Sequence, residues 1–297
     1  MSNAVATPAQ IGGRPVKPLS AFKVGSGGHD LPDPIRLRNY ILAMPGQGKT
    51  TFAASIPGAI HIDPEDTRRF VLKGRSRPFV PSSGEECADM FESLIADKAR
   101  TYKHVVVDTI EKLVQILIPF VTDDYNRTHA SKVLDIREKG TQGSGWGYVN
   151  EKVLNYMQRL YDAGYGWTVC GHLRTEMIGQ GDDKRIVVSP LVNEGIRGGL
   201  FRDAQYIMRT SVVTTFTHEE LQTESGIKMK GKLIGTRMGK LEVKTVDNPK
   251  NSTTQLLKDR LGQFLPDDVL FDDTNGYDRW SAAYVEACKA AIEAAGK

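Results

Sequence analysis

The chain has 297 residues, 40% of them hydrophobic, and a formal net charge of +3 at pH 7, which suffices for one large packed domain or two small ones. So small a charge excludes an argument for nucleic-acid binding from overall charge, and any such argument rests on local patches. No run approaches the roughly 18 apolar residues of a membrane span, no charged-then-apolar signal pattern opens the chain, and Cys87, Cys170 and Cys288 lie far apart, so a cytoplasmic chain with reduced thiols and no membrane partner is expected.

Residues 1–33 carry Pro8, Pro15, Pro18 and Pro32 with repeated glycine and little apolar periodicity, which reads as a flexible arm. A core is expected over 34–250, its folded part starting near Ile35, and a helical tail over 251–297. The core opens with the apolar run LRNYILA, followed by the turn MPGQGKT and a helix. The pattern G-x-x-x-x-G-K-[ST] is met with Ala43 in place of the first glycine. Residues Ala43, Met44, Pro45, Gly46, Gln47, Gly48, Lys49, Thr50 and Thr51 therefore read as a phosphate-binding loop, in which inward backbone N–H groups and the helix start cradle an anion. Lys49 is expected to reach the β- and γ-phosphates and Thr50 to hold magnesium; the alternative is a chance glycine turn.

A second strand, AIHID, ends on Asp63, Glu65 and Asp66, and a helix follows from the capping box Ser83–Glu86. Glu65 is the favoured group to orient a water for attack on phosphate, with Asp63 as rival and an Asp-Pro surface turn as the plain alternative. HVVVDT then places Asp108 at the end of a strand, as a second magnesium-side group or as the cap of the next helix. An amphipathic helix over Tyr148 to Ala163 stops at Gly164, and the strand WTVCG puts His172 just past its end, as a phosphate sensor or as a structural histidine. Strands alternating with helices predict an α/β fold with a mostly parallel sheet covered on both faces. Beyond His172 the runs RIVVSP, AQYIMRT, KLIGTRM and LEVKTV, divided by Gly231 and Gly239, read as hairpins extending one sheet edge. Helical signals return at Thr253 to Leu261 and at Tyr277 to Ala295, the latter as a loosely attached tail.

Three basic segments are candidates for nucleic-acid contact. Tyr125 to Tyr148 mixes Arg127, Lys132, Arg137 and Lys139 with Trp146 and Tyr148, a pairing of charge and aromatic faces suited to unpaired bases; Asp135 and Glu138 dilute the charge, and Trp146 as an anchor of the next helix in the core is the alternative. The segment from Leu173 carries Arg174, Lys184, Arg185 and Arg197, with a plain hairpin tipped by Gly181 to Asp183 as the alternative. Lys228, Lys230 and Lys232 share one face of a strand, as a backbone-binding stripe or as protection of an edge. Arg237 or Lys240 is a candidate finger reaching a neighbouring subunit's γ-phosphate.

The order of phosphate loop, D-x-E strand, VVVDT strand and sensor strand resembles the RecA-like recombinase core. In detail it is similar to the phage RecA-like nucleotide-binding family that includes Sak-type single-strand annealing ATPases, over about Leu37 to Phe216 and more loosely to Pro266. The resemblance implies a RecA-like P-loop ATPase using ATP and Mg2+, with Lys49 and Thr50 as the loop pair, Glu65 as catalytic glutamate, Asp108 as Walker B acid and His172 as sensor, where RecA proteins have glutamine. It also implies single-stranded DNA as partner, a homo-oligomer, a single-strand binding protein of phage or host, and the host cytoplasm. A P-loop kinase and a nucleotide-gated helicase loader or packaging ATPase are the competing readings.

Overall fold

The computed structural model describes residues 10–11, 14–15, 31, 33–71, 74–130, 132–138, 145–178, 185–222, 228–243, 257–258 and 260–295. Two units divide the chain, Met1–Leu31 and Pro32–Lys297. In the first, β1 (Gln10–Ile11) pairs antiparallel with β2 (Arg14–Pro15); the rest of the expected arm, apart from Leu31 and Asp33, lies outside the described residues.

The second unit alternates strand and helix as its sequence predicts. The P-loop strand β3 (Arg38–Ala43) leads to α1 (Lys49–Ala54), then β4 (Ala59–Ile62) and β5 (Arg77–Phe79) precede α2 (Gly84–Ala96). Ser83 caps α2 by accepting from the Glu86 backbone N–H at 3.1 Å, while the Glu86 carboxylate accepts from Ser82 rather than closing the box on Ser83. Next come β6 (His104–Asp108), α3 (Ile110–His129), α4 (Trp146–Asp162), β7 (Gly166–Ile178), β8 (Arg185–Pro190) and α5 (Glu194–Asp203). The chain closes with β9 (Tyr206–Gln222), β10 (Lys228–Glu242), β11 (Asp268–Phe271) and α6 (Gly276–Ala295).

Nine strands form one sheet in the order β11-β10-β9-β3-β7-β6-β4-β5, with β8 on β7. From β5 to β9 all neighbours are parallel; β10, β11 and β8 add antiparallel pairs. Period-2 alternation sends successive side chains to opposite faces, which is why both faces need cover. Tyr40, Leu42, Val105 and Val107 pack under α2, α3 and α4, whereas Ile41, Val106, Cys170 and Met208 pack under α1 and α6.

Several expectations change. The run AQYIMRT begins β9, a parallel neighbour of β3 rather than part of an edge hairpin, because its apolar residues pair with the buried P-loop strand. KLIGTRM and the start of LEVKTV form one continuous strand through Gly239, where an added Cβ would lie 2.3 Å from the Phe271 ring. Lys258, in the stretch from Thr253 to Leu261 expected as a helix, bridges Ile207 and donates from its ammonium to the Ala204 carbonyl at 2.6 Å, at the end of α5, while residues 253–256 and 259 lie outside the described residues. The β9–β10 pairing shifts register between Lys230 and Leu233, and the side chains of Lys228 and Lys230, two of the three lysines expected on one face, lie outside the described residues. Helix α6 is docked, not loose: Tyr277, Trp280, Tyr284 and Cys288 are buried in the core against α1 and β9. Among the described residues no helix is long and apolar enough to cross a membrane.

A buried polar pair couples the fold to pH. The His104 ring spans the Ile35 carbonyl at 2.7 Å and the Thr168 hydroxyl at 2.8 Å, and burial pushes its pKa down from 6.5 to about 4. The unfolded chain therefore binds a proton that the folded chain refuses as pH falls through this window. Stability is undiminished above pH 6.5 and declines toward pH 4, by about 3 kcal/mol from this residue alone. Urea melts of the protein and of His104→Gln across that range should show the decline flattened in the variant.

Candidate active site

The parallel strands end on one edge, and that edge carries the site. Ala43, last in β3, pairs with His172 in β7, and Asp108, last in β6, pairs with Cys170. The strand beside β3 is thus β7, and β4, the next strand in sequence, lies two strands further on. Its loop nonetheless swings Glu65 back toward the P-loop. Pro45 to Thr51, Glu65, Thr67, Asp108, Thr109 and His172 line one cavity of about 250 Å³.

The loop conformation follows from its glycines. Gly46 and Gly48 have φ of +74° and +83°, a region that costs other residues roughly 1–2 kcal/mol. Ala43 needs no such freedom: it is buried at the strand end, and Asp66, Arg100 and Ala130 are the non-glycine residues with positive φ among those described. Its methyl group is therefore compatible with the loop. The Gln47 side chain accepts from the Val212 N–H at 2.9 Å and ties the loop to β9.

Lys49 is 5% exposed and folds onto its own loop, its ammonium 3.3 Å from the Ala43 carbonyl and 3.5 Å from that of Met44. Burial lowers its pKa, against the pull of Asp108, Glu111 and Glu65. A cation held by neutral carbonyls beside an anion cradle gains by meeting phosphate.

Asp108 does not cap α3; that position is Thr109. Its Oδ2 instead accepts from the Thr50 hydroxyl at 2.6 Å, joining the two predicted magnesium-side groups. Burial opposes the carboxylate, but the His61 ring, the Thr50 hydroxyl and Lys49 outweigh it and hold Asp108 below the usual carboxylate range. Its buried Oδ1 has no hydrogen-bond partner among the described residues. An unspent carboxylate oxygen beside a hydroxyl is a hard-oxygen donor set that suits Mg2+, so Thr50 and Asp108 would hold it.

The two carboxylates that end the second strand have different surroundings. Asp63 is fully buried and accepts from the Glu65 N–H at 3.2 Å, the Thr67 hydroxyl at 3.1 Å and the Arg68 N–H at 2.5 Å, so it builds the turn and does not line the cavity. Burial raises its pKa. Glu65 lines the cavity, with one oxygen 3.3 Å from the Lys112 ammonium. Asp66 pairs with Arg69 at 3.0 Å.

His172 lies within β7 rather than past its end, and it faces the cavity. Glu111 grips it twice: one oxygen accepts the His172 N–H at 2.8 Å and the other lies 3.5 Å from Nδ1. Sequence reading missed Glu111, although a residue in the first turn after a strand-end aspartate points to the same edge. It also missed His61, fully buried, whose Nε2 lies 3.5 Å from Asp108 and whose Nδ1 lies 3.2 Å from the Ser76 hydroxyl. Nothing in HID marks that histidine; two strands must pair before its neighbour is known.

Four arginines of the basic segments are paired with carboxylates. Arg127 pairs with Asp124, Arg137 with Asp135, Arg174 with Glu176 and Arg197 with Glu194. Trp146 packs on the core, and Tyr148 meets Tyr125 edge-on at 4.8 Å. The β7–β8 hairpin is present, with its tip and Lys139 outside the described residues. Lys240 is held by Asp268 at 2.8 Å, and Arg237 stands beside the P-loop of its own chain.

A family model described as an AAA domain matches residues 36–236. The chain belongs to the AAA-domain family. The match spans every residue of the cavity, and AAA-domain membership accords with nucleotide binding by the P-loop and with ATPase chemistry in general. No curated protein matches the sequence, so the assignment stays at the level of the AAA domain.

Proposed function

We propose that this AAA-domain protein is a RecA-like, magnesium-dependent ATP hydrolase. The observation that carries the reading is the convergence of Lys49, Thr50, Glu65, Asp108 and His172, from four separate stretches of sequence, on one cavity around the P-loop. In this reading the loop amides and Lys49 bind and orient the phosphates. Thr50 and Asp108 would hold Mg2+, which would supply positive charge against the phosphates. The free oxygen of Glu65 orients water for in-line attack, and His172, steadied by Glu111, donates to the terminal phosphate and senses its loss.

Glu65→Gln tests the assignment. It keeps size and hydrogen bonding but removes the charge that aligns the water, so hydrolysis should fall about 10²- to 10⁴-fold. Nucleotide binding, followed with a fluorescent ATP analogue, should stay within about threefold, since Glu65 touches water rather than phosphate. Turnover equal to wild type in the variant would remove Glu65 from the mechanism.

The partner proposed is single-stranded DNA, in recombination or strand annealing by a homo-oligomer, and the support is the sequence resemblance to phage RecA-like annealing ATPases. Because Arg127, Arg137, Arg174 and Arg197 are balanced by carboxylates, the best-placed surface is the β9–β10 ribbon, where Lys232, Phe216 and Leu233 are exposed. Cation and aromatic together suit unpaired bases. Anisotropy of a labelled single strand should rise at low salt and fall as salt increases; no rise with or without ATP would eliminate this partner.

A further inference from the structure

The P-loop borders a second cavity. It has a volume of about 380 Å³, touches Gly46, Gly48 and Thr51, and is closed by Arg237, Phe271 and Asp273. Those three closing residues lie beyond position 236, where the AAA-domain match ends. The C-terminal part of the chain therefore completes a pocket that the family region leaves open.

The lining has a distinct chemistry. Phe271 forms an apolar floor: its ring meets Phe52 of α1 edge-on at 5.6 Å, and it lies where side chains on Gly239 or Gly48 would approach it, at 2.3 and 3.8 Å. Arg237 is exposed and has no ion-pair partner among the described residues, whereas neighbouring Arg209 donates to Glu242 at 2.6 Å and Lys240 pairs with Asp268 at 2.8 Å. Asp272 is consumed by its own turn, accepting from the Thr274 N–H at 2.7 Å and the Asn275 amide at 2.8 Å. Asp273 makes no such bond among the described residues. A free carboxylate repels phosphate but accepts from hydroxyl groups, and an apolar floor with an unpaired guanidinium suits an aromatic base. The size falls within the range of small-ligand pockets, roughly 300–1,000 Å³.

We propose that this second cavity takes the nucleoside half of the nucleotide, with Arg237 engaging the base and Asp273 the sugar hydroxyls. The inference rests on the reading that the first cavity holds the phosphates. It makes the C-terminal segment the part of the chain that distinguishes a nucleotide from a bare polyphosphate, and a ribose from a deoxyribose.

Equilibrium binding of ATP, dATP and inorganic tripolyphosphate, each with Mg2+, tests it in the wild type, Arg237→Ala and Asp273→Ala. Both side chains are at the surface, and thermal melts establish that the variants keep the fold. Arg237→Ala should weaken ATP about tenfold or more and tripolyphosphate less than about twofold. Asp273→Ala should erase a wild-type preference for ATP over dATP of about tenfold. The proposal is overturned if Arg237→Ala weakens ATP and tripolyphosphate equally, if neither variant changes ATP binding, or if the wild type binds tripolyphosphate as well as ATP. The last two results leave the phosphate site standing; a wild type that binds neither ligand takes the phosphate reading down as well.

Discussion

Lys49→Ala should remove ATP hydrolysis, by at least about 10³-fold, while leaving the protein folded. The effect is electrostatic. Lys49 is a buried cation whose contacts are two loop carbonyls at 3.3 and 3.5 Å, and its burial lowers its pKa. Neutral carbonyls compensate a buried ammonium poorly, so the side chain is stored in a state that phosphate oxygens improve. No backbone amide of the loop can replace a full charge on the terminal phosphates. Deleting the amine removes a costly buried charge, so folding stability should hold or rise slightly, in contrast to activity. Phosphate release and a thermal melt on the same preparation check both halves. A variant that keeps more than about a tenth of wild-type turnover would show that the phosphates bind elsewhere.

Trp280→Ala should cost about 3–5 kcal/mol of stability, a large share of the 5–15 kcal/mol typical of a whole domain. Trp280 is fully buried, 5.3 Å from the Tyr206 ring of β9 and 5.9 Å from Tyr284. Around it, the Tyr277 N–H donates to the Ser55 hydroxyl at 2.7 Å and Arg75 pairs with Asp278 at 2.8 Å, fastening α6 to the end of the P-loop helix. A tail that merely rests on the surface would give less than about 1 kcal/mol in urea melts, and that result would contradict the docking described above. A loss of the larger size identifies α6 as core.

The parts of the site that were legible in sequence are those coded locally. Strand, glycine turn, Lys-Thr and helix follow one another along the chain, and three consecutive valines announce the strand that delivers Asp108. The carboxylates near the loop were legible for the same reason, whereas the division between Glu65, which lines the cavity, and Asp63, whose oxygens are occupied by the turn, was not. What was not legible depends on strand order. That β7 lies between β3 and β6, that His61 faces Asp108, and that Glu111 holds His172 are consequences of pairing between segments far apart in sequence. The docking of α6 was available in principle, since Tyr277, Trp280, Tyr284 and Cys288 recur at the spacing of one helical face. The acidic stretch before it concealed the signal. The misreading of β9 as an edge hairpin has the same origin: a buried parallel strand and one arm of a hairpin look alike until the partner is known.

Steady-state release of inorganic phosphate from ATP by the wild-type protein, with and without Mg2+ and single-stranded DNA, tests whether the cavity around the P-loop hydrolyses ATP. Release should require Mg2+, disappear in Lys49→Ala and increase with DNA. No release under any of these conditions, or release that persists in Lys49→Ala, would contradict it.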